Sequence, residues 1–420
     1  MWENRHTTPQ RRYAPAVELT RATNPYSAGA GTMPPYLAGR DGDVERFDTL
    51  LARLEGGQQG RSLVYSGLRG VGKTVLLLEL EKVAAGRGWD CTGVVEIGAT
   101  TDFRTSISRM THRLLRGLSR KHAIRGRVAR ALGVLKAFNV TAPGGFQLAI
   151  DVAAVSGSAD SGDIEDDLTE LLVEVGEAAR AGGKGVVYLV DEMQNLEPVA
   201  MGALCMAFHK LAQQKLPVAL AGAGLPPLPS QLRTAKPYAE RLFEYFPLGA
   251  LPEAAARSAL VLPATRRGAV WEDGAVELVL AAADGYPYFI QEYGRVVWDE
   301  AGVSPITAAA VAEALPVAGE ILDEEFFDNR VEEATNEERR YMAAMADLGD
   351  GAQSTAEVTG RAGYKQRASS GKARQALIRK GLVYVPRHGT VDFTVPHFAD
   401  FMRRRYPLAG LLRTADEDER

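Results

Sequence analysis

The chain has 420 residues, 46% hydrophobic and 24% charged, with a formal net charge of −4. That length predicts about two to four domains, in an ordinary globular chain without the overall positive charge of a dedicated nucleic-acid binder. Two cysteines, Cys91 and Cys205, exclude a disulfide framework or a cysteine-rich zinc site, and an N-terminus without an apolar signal core, with no long apolar run after it, predicts a cytosolic protein with no membrane partner.

Residues 1–35 mix Pro, Gly, Thr and Arg without helical or strand period and read as an irregular arm. After Tyr36-Leu37-Ala38-Gly39-Arg40 comes a helix with Val44, Phe47, Leu50, Leu51 and Leu54 on one face and Asp41 or Asp43 as its cap. A strand over 61–66 leads into Gly67-Leu68-Arg69-Gly70-Val71-Gly72-Lys73-Thr74, and a helix starts at Val75. Strand, G-x-x-x-x-G-K-[ST] loop and helix are the context of a phosphate-cradling P-loop. Its glycines let successive N–H groups from Gly67 to Val75 point at one anion, and the helix N-terminus adds partial positive charge. Lys73 would reach the β- and γ-phosphates and the Thr74 hydroxyl would ligate Mg²⁺.

A second strand is expected at 90–97. Residues 103–150 contain no Asp or Glu, and the basic stretch 104–136 places Arg109, Arg113, Arg116 and Arg120 on one helix face. That stripe is either a phosphate-backbone contact for DNA or a solvated or subunit-facing surface. A hairpin or loop insertion is expected at 142–161 and an acidic helix at 163–181. Residues 186–190 are continuously apolar, as in a strand buried on both faces of a parallel sheet, and end in Asp191-Glu192. Asp191 would hold Mg²⁺ and Glu192 would polarise the water that attacks the γ-phosphate. A helix over 198–214, strands at 217–221 and 243–248, and four helices over 252–330 follow. Residues 335–406 read as three helices and a two-stranded wing, a winged helix-turn-helix, in which Lys372, Arg374, Arg379 and Arg387 are candidate DNA contacts. The rival reading has this domain docking on the nucleotide-binding core and reporting its state. Within the acidic tail, 407–420, the last residues, 415–420, are expected to lack structure.

These features together resemble AAA+ ATPases of the origin-recognition type and their bacterial and archaeal relatives, which grade into STAND-type signalling ATPases. The resemblance implies an α/β fold: a P-loop NTPase parallel sheet of AAA+ type (36–250), a helical lid (251–334) and the winged helix (335–406). It also implies ATP and Mg²⁺ as ligands, and a homo-oligomer or partner ATPase that supplies an arginine finger, for which Arg241 is the best match and Arg233 the second. Tyr36 and Arg40 would lie over the adenine or form mere linker. Two departures matter. Gly222-Ala223-Gly224 stands where a polar sensor ends strand four, and Gly285-Tyr286-Pro287 stands where the lid's sensor arginine is expected, so that Pro287 faces the nucleotide as in the STAND and archaeal branch. The expectation is a slow ATP-hydrolysing switch, with Glu192, Lys73 and Arg241 as its catalytic residues. It would bind DNA in replication, transposition or another mobile-element process. The alternative is a signalling ATPase whose winged helix packs on the core and binds no DNA.

Overall fold

The computed structural model describes residues 17–29, 31–98, 102–119, 124–140, 153–155, 157–364 and 367–418. Residues 1–16 of the arm, Arg120, Lys365 and most of the insertion expected at 142–161 lie outside the described residues. The chain divides into two compact units, Arg40–Gly249 with Asp323–Arg420, and Met1–Gly39 with Ala250–Leu322.

The larger unit is built on a five-stranded parallel sheet: β1 (Ser62–Ser66), β2 (Asp90–Glu96), β3 (Val186–Asp191), β4 (Val218–Gly224) and β5 (Phe243–Pro247), in the order β2-β3-β4-β1-β5. Strands β3 and β4 are buried at every position, which explains their unbroken apolar runs. Strand β4 continues to Gly224, past the end expected near residue 221, because its last three residues carry no side chain large enough to signal a strand. Helices α1 (Asp41–Glu55), α2 (Lys73–Gly86), α3 (Phe103–Leu118), α4 (Arg125–Val140), α5 (Ile164–Ala181), α6 (Pro198–Gln213), α7 (Leu228–Ala235) and α8 (Ala239–Leu242) accompany the sheet. Leu114, Leu115, Leu171, Leu172, Tyr188 and Phe208 are among the buried residues of one continuous core. Arg40, and not an aspartate, occupies the N-cap of α1, and no side chain caps that helix.

In the smaller unit, α9 (Glu253–Thr265), α10 (Asp273–Ala283), α11 (Pro287–Ala301) and α12 (Ala308–Ile321) pack together. The described part of the N-terminal arm is irregular yet packed on them. Tyr26 is buried edge-on to Trp271 and Trp298 and accepts a hydrogen bond from Trp271 Nε1 at 2.9 Å.

The C-terminal domain begins with a π-type turn, Leu322–Asp328, and the short α13 (Asn329–Val331). Helix α14 (Asn336–Leu348), capped by Thr335 and Glu338 in reciprocal hydrogen bonds, precedes β6 (Gln353–Ser354), α15 (Thr355–Arg361) and α16 (Arg367–Arg379). Strands β7 (Val383–Tyr384) and β8 (Thr390–Phe393) pair antiparallel, and β6 adds to β8, so this small sheet has three strands where a two-stranded wing was expected. Three helices and this small sheet are consistent with a winged helix-turn-helix. Helices α17 (Phe398–Arg405) and α18 (Leu408–Asp418) close the chain. Residues 415–418, expected to lack structure, are therefore helical; Leu408 is buried and α18 packs on α14.

Candidate functional site

Parallel pairing of β1, β4 and β3 brings the P-loop and Asp191-Glu192 to the same carboxyl edge, on either side of β4. Gly67 donates its N–H to Gly224 C=O at 3.0 Å, and a Cβ at Gly67 would strike Leu248 C=O. Gly70 and Gly72 have φ of 85° and 88°, a left-handed backbone that side-chain residues rarely adopt. The loop is steadied from behind by Arg40, whose buried guanidinium donates to Val71 C=O at 3.0 Å and Gly249 C=O at 3.2 Å. Among the described contacts Arg40 holds the loop's backbone, and burial pushes its pKa down.

Lys73 is buried at the start of α2 and donates to the carbonyls of Gly67 (3.0 Å) and Leu68 (2.9 Å), folded back across the mouth of the loop. Burial lowers its pKa against the opposing pull of Glu192 and Asp191. The Thr74 hydroxyl donates to Asp191 Oδ2 at 2.5 Å. A hydroxyl and a carboxylate converging on one point are the hard-oxygen donors Mg²⁺ takes, and they leave its other positions to phosphate and water. The residues fit the ion. Leu68 and Val75 are half-buried in the loop and in the first turn of α2.

Glu192 follows Asp191 in a left-handed conformation (φ 53°, ψ 36°). Its Oε2 accepts from Gln194 Nε2 at 2.5 Å and lies 3.9 Å from Arg69 Nη2. Arg69 also meets the C-terminal domain: its N–H donates to Thr394 C=O at 3.0 Å, and Gly381 sits so close that a Cβ there would lie 2.5 Å from Arg69 Nη2. Neither Gln194 nor this contact was foreseen from sequence.

The other expected residues are dispersed. Arg241 and Arg233 are exposed, and Arg241 lies beside Arg61, Ser62 and Val218 at the amino edge of the sheet, opposite the P-loop's edge. Tyr36 and Pro287 belong to the other unit, where Arg266 lies 5.5 Å over the Tyr36 ring and Pro287 opens α11. Lys372, Arg379 and Arg387 are exposed, whereas Arg374 is half-buried near Tyr341 and does not share their surface. Arg361 and Lys380 are paired with Asp347 and Glu338. In the basic stretch, Arg104 is no surface cation: it is buried against Asp167 at 3.0 Å. Arg109, Arg113 and Arg116 are exposed and line a groove with Asp90, Cys91, His112 and Ser119. Burial and Arg116 push the His112 pKa down. No helix among the described residues is long and apolar enough to cross a membrane.

Residues 36–220 match the family model described as "AAA ATPase domain", and residues 324–402 match one described as "Domain of unknown function (DUF8462)". The chain is similar in structure to the Walker-type ATPase paby2304 of Pyrococcus abyssi, at 14% identity and a TM-score of 0.51, over 89% of this chain and 97% of that one. It also aligns with the Aeropyrum pernix Orc1 protein solved in complex with DNA (18% identity, TM-score 0.45, 93% and 98% covered). A third is the Thermotoga maritima RuvB Holliday junction branch migration motor (14%, 0.43, 84% and 92%). No curated protein matches the chain. The family match supports an ATPase-type enzyme, and the likeness to the Pyrococcus structure shows the shared fold.

Proposed function

We propose that the AAA ATPase domain of this chain binds and slowly hydrolyses ATP as a switch, and that the C-terminal domain is the part it switches. The observation that carries this reading is the hydrogen bond from the P-loop's Arg69 N–H to Thr394 C=O at 3.0 Å. Phosphates entering the loop would draw Lys73 off the Gly67 and Leu68 carbonyls, and their charge favours its protonated form. Thr74 and Asp191 would hold Mg²⁺, which neutralises phosphate charge when bound. Glu192 takes a proton from water as the water oxygen bonds to the γ-phosphorus and the bond to the bridging oxygen of ADP breaks. Arg69 lies between the Glu192 carboxylate and Gly381, so a γ-phosphate competing for its guanidinium alters the hold on the C-terminal domain. Slow turnover goes with the absence of polar side chains at the end of β4 and with Pro287 in place of a sensor arginine. ATP as substrate agrees with the cytosolic location expected from the sequence.

Hydrogen exchange over residues 324–402 tests the switch. Amides of β8 and of the turn at Gly381 should be protected with ADP and exchange faster with a non-hydrolysable ATP analogue. Identical patterns in the two states would remove the C-terminal domain from the cycle.

A second role, duplex DNA binding in a replication- or mobile-element-type process, is favoured by the solvent-facing positions of Lys372, Arg379 and Arg387. The salt dependence of duplex affinity measures it. DNA binding and docking on the loop are compatible, because Gly381 faces Arg69 while Lys372 and Arg379 face solvent.

A further inference from the structure

Strand β4 ends in Gly222, Ala223 and Gly224, so no side chain of its own can meet a phosphate or a water there. The space is filled from the adjacent strand. A Cβ at Gly224 would lie 2.6 Å from Gln194 Oε1, and one at Gly222 would collide with Met193 Sδ. Gln194 belongs to the single turn Met193–Asn195 that follows Glu192. Its side chain spans the end of β4: Oε1 accepts from Leu225 N–H at 2.9 Å, and Nε2 donates to Glu192 Oε2 at 2.5 Å. A backbone N–H can only donate and an ionised carboxylate only accept, so these partners permit one orientation of the amide.

The turn itself is tied on both sides. Asn195 Nδ2 donates to Ile97 C=O, at the end of β2, at 2.7 Å, and Glu192 N–H donates to Asp191 Oδ1 at 2.8 Å. A left-handed backbone strains a residue with a side chain, and persists where its surroundings enforce it. Asn195 anchors the turn to β2, Gln194 anchors it to β4, and Glu192 is aimed by both.

We propose that Gln194 is the positioning residue for the Glu192 carboxylate, performing from the neighbouring strand the polar role that the glycines of β4 cannot. This rests on the reading of Glu192 as the base for the attacking water. By donating to one carboxylate oxygen, Gln194 fixes the direction of the carboxylate and leaves the other oxygen for the water's proton. It touches no reacting atom itself.

Three variants of this 420-residue chain test this by steady-state hydrolysis, with binding of a fluorescent ATP analogue and thermal unfolding measured beside it. Glu192→Gln should keep nucleotide affinity and lose turnover by about 100-fold or more. Gln194→Ala should lower kcat by up to about 100-fold, with KM and nucleotide affinity unchanged, because the base is present but misaimed. Gln194→Glu keeps an acceptor for Leu225 N–H but loses the Nε2 donor to Glu192, so it should lower kcat as Gln194→Ala does, with KM unchanged. A wild-type kcat in Gln194→Ala beside an inactive Glu192→Gln overturns the role of Gln194 alone. A wild-type kcat in Gln194→Glu does the same, and remains readable if Gln194→Ala folds poorly, since a carboxylate still accepts from Leu225 N–H. Full turnover in Glu192→Gln overturns the hydrolytic reading and this proposal together.

Discussion

Arg104 and Arg109 stand five residues apart in one helix, both read from sequence as parts of a basic surface, and they meet opposite environments. Arg104 donates to Asp167 at 3.0 Å and to Phe138 C=O at 2.9 Å, with its guanidinium 4.3 Å over the Phe138 ring. Asp167 also accepts from Ser161 N–H and Oγ, at 2.9 and 2.8 Å. Removing one partner leaves the other charge buried without its counter-ion. Arg104→Met and Asp167→Asn should therefore each lower the unfolding free energy by about 3–5 kcal/mol, measured in urea, and the double variant should lose less than their sum. Equal stability of Arg104→Met and wild type would mean that the pair is solvated. The pairing was illegible in sequence because its partners lie 63 positions apart. The P-loop was legible for the opposite reason: its glycines, lysine and threonine are contiguous, and their chemistry is set by the local backbone. Gln194 falls between these cases. Its place two residues after Glu192 and the bare glycines ending β4 were both visible, but only the adjacency of β3 and β4 brings them together.

At the scale of elements, strands and helices with strong apolar pattern were legible nearly to the residue, as at Val186–Asp191 and Pro198–Gln213. Sheet order was not, since nothing local says that β1 inserts between β4 and β5. Nor was the side of the C-terminal domain that meets the core. That side matters for α16, where basic residues read as one group separate by helical position. Lys372 and Arg379, seven residues apart, share a solvent-facing stripe, while Arg374 points nearer α14. If this stripe and Arg387 touch a duplex, each phosphate contact contributes about −0.9 to the slope of log affinity against log salt. Replacing Lys372 and Arg379 by Ala should then weaken duplex binding and reduce that slope by about 2, while Arg374→Ala leaves the slope unchanged. Equal affinity at about 50 mM and about 300 mM salt would exclude phosphate contact by this surface.

At the scale of the whole molecule, the position of Arg241 decides how the site could be completed. It lies two residues before β5, which runs parallel to β1 for five residues, so the sheet separates it from its own P-loop by about 16 Å of strand. Arg241 cannot serve the phosphates of its own chain. If it serves any, they belong to a neighbouring copy in a head-to-tail assembly, in which each interface joins one chain's P-loop to the next chain's arginine. Lys73→Ala lacks the first half of an interface and Arg241→Ala the second, so each protein alone should be inactive. Mixed in equal amounts and allowed to exchange, they should regain about a quarter of wild-type turnover, because half of the P-loops are intact and half of those meet an intact arginine. No recovery after exchange, with both variants still assembling on an ATP analogue, would confine catalysis to single chains. A fully active Arg241→Ala beside an inactive Arg233→Ala would move the role to Arg233, which is equally exposed at the end of α7.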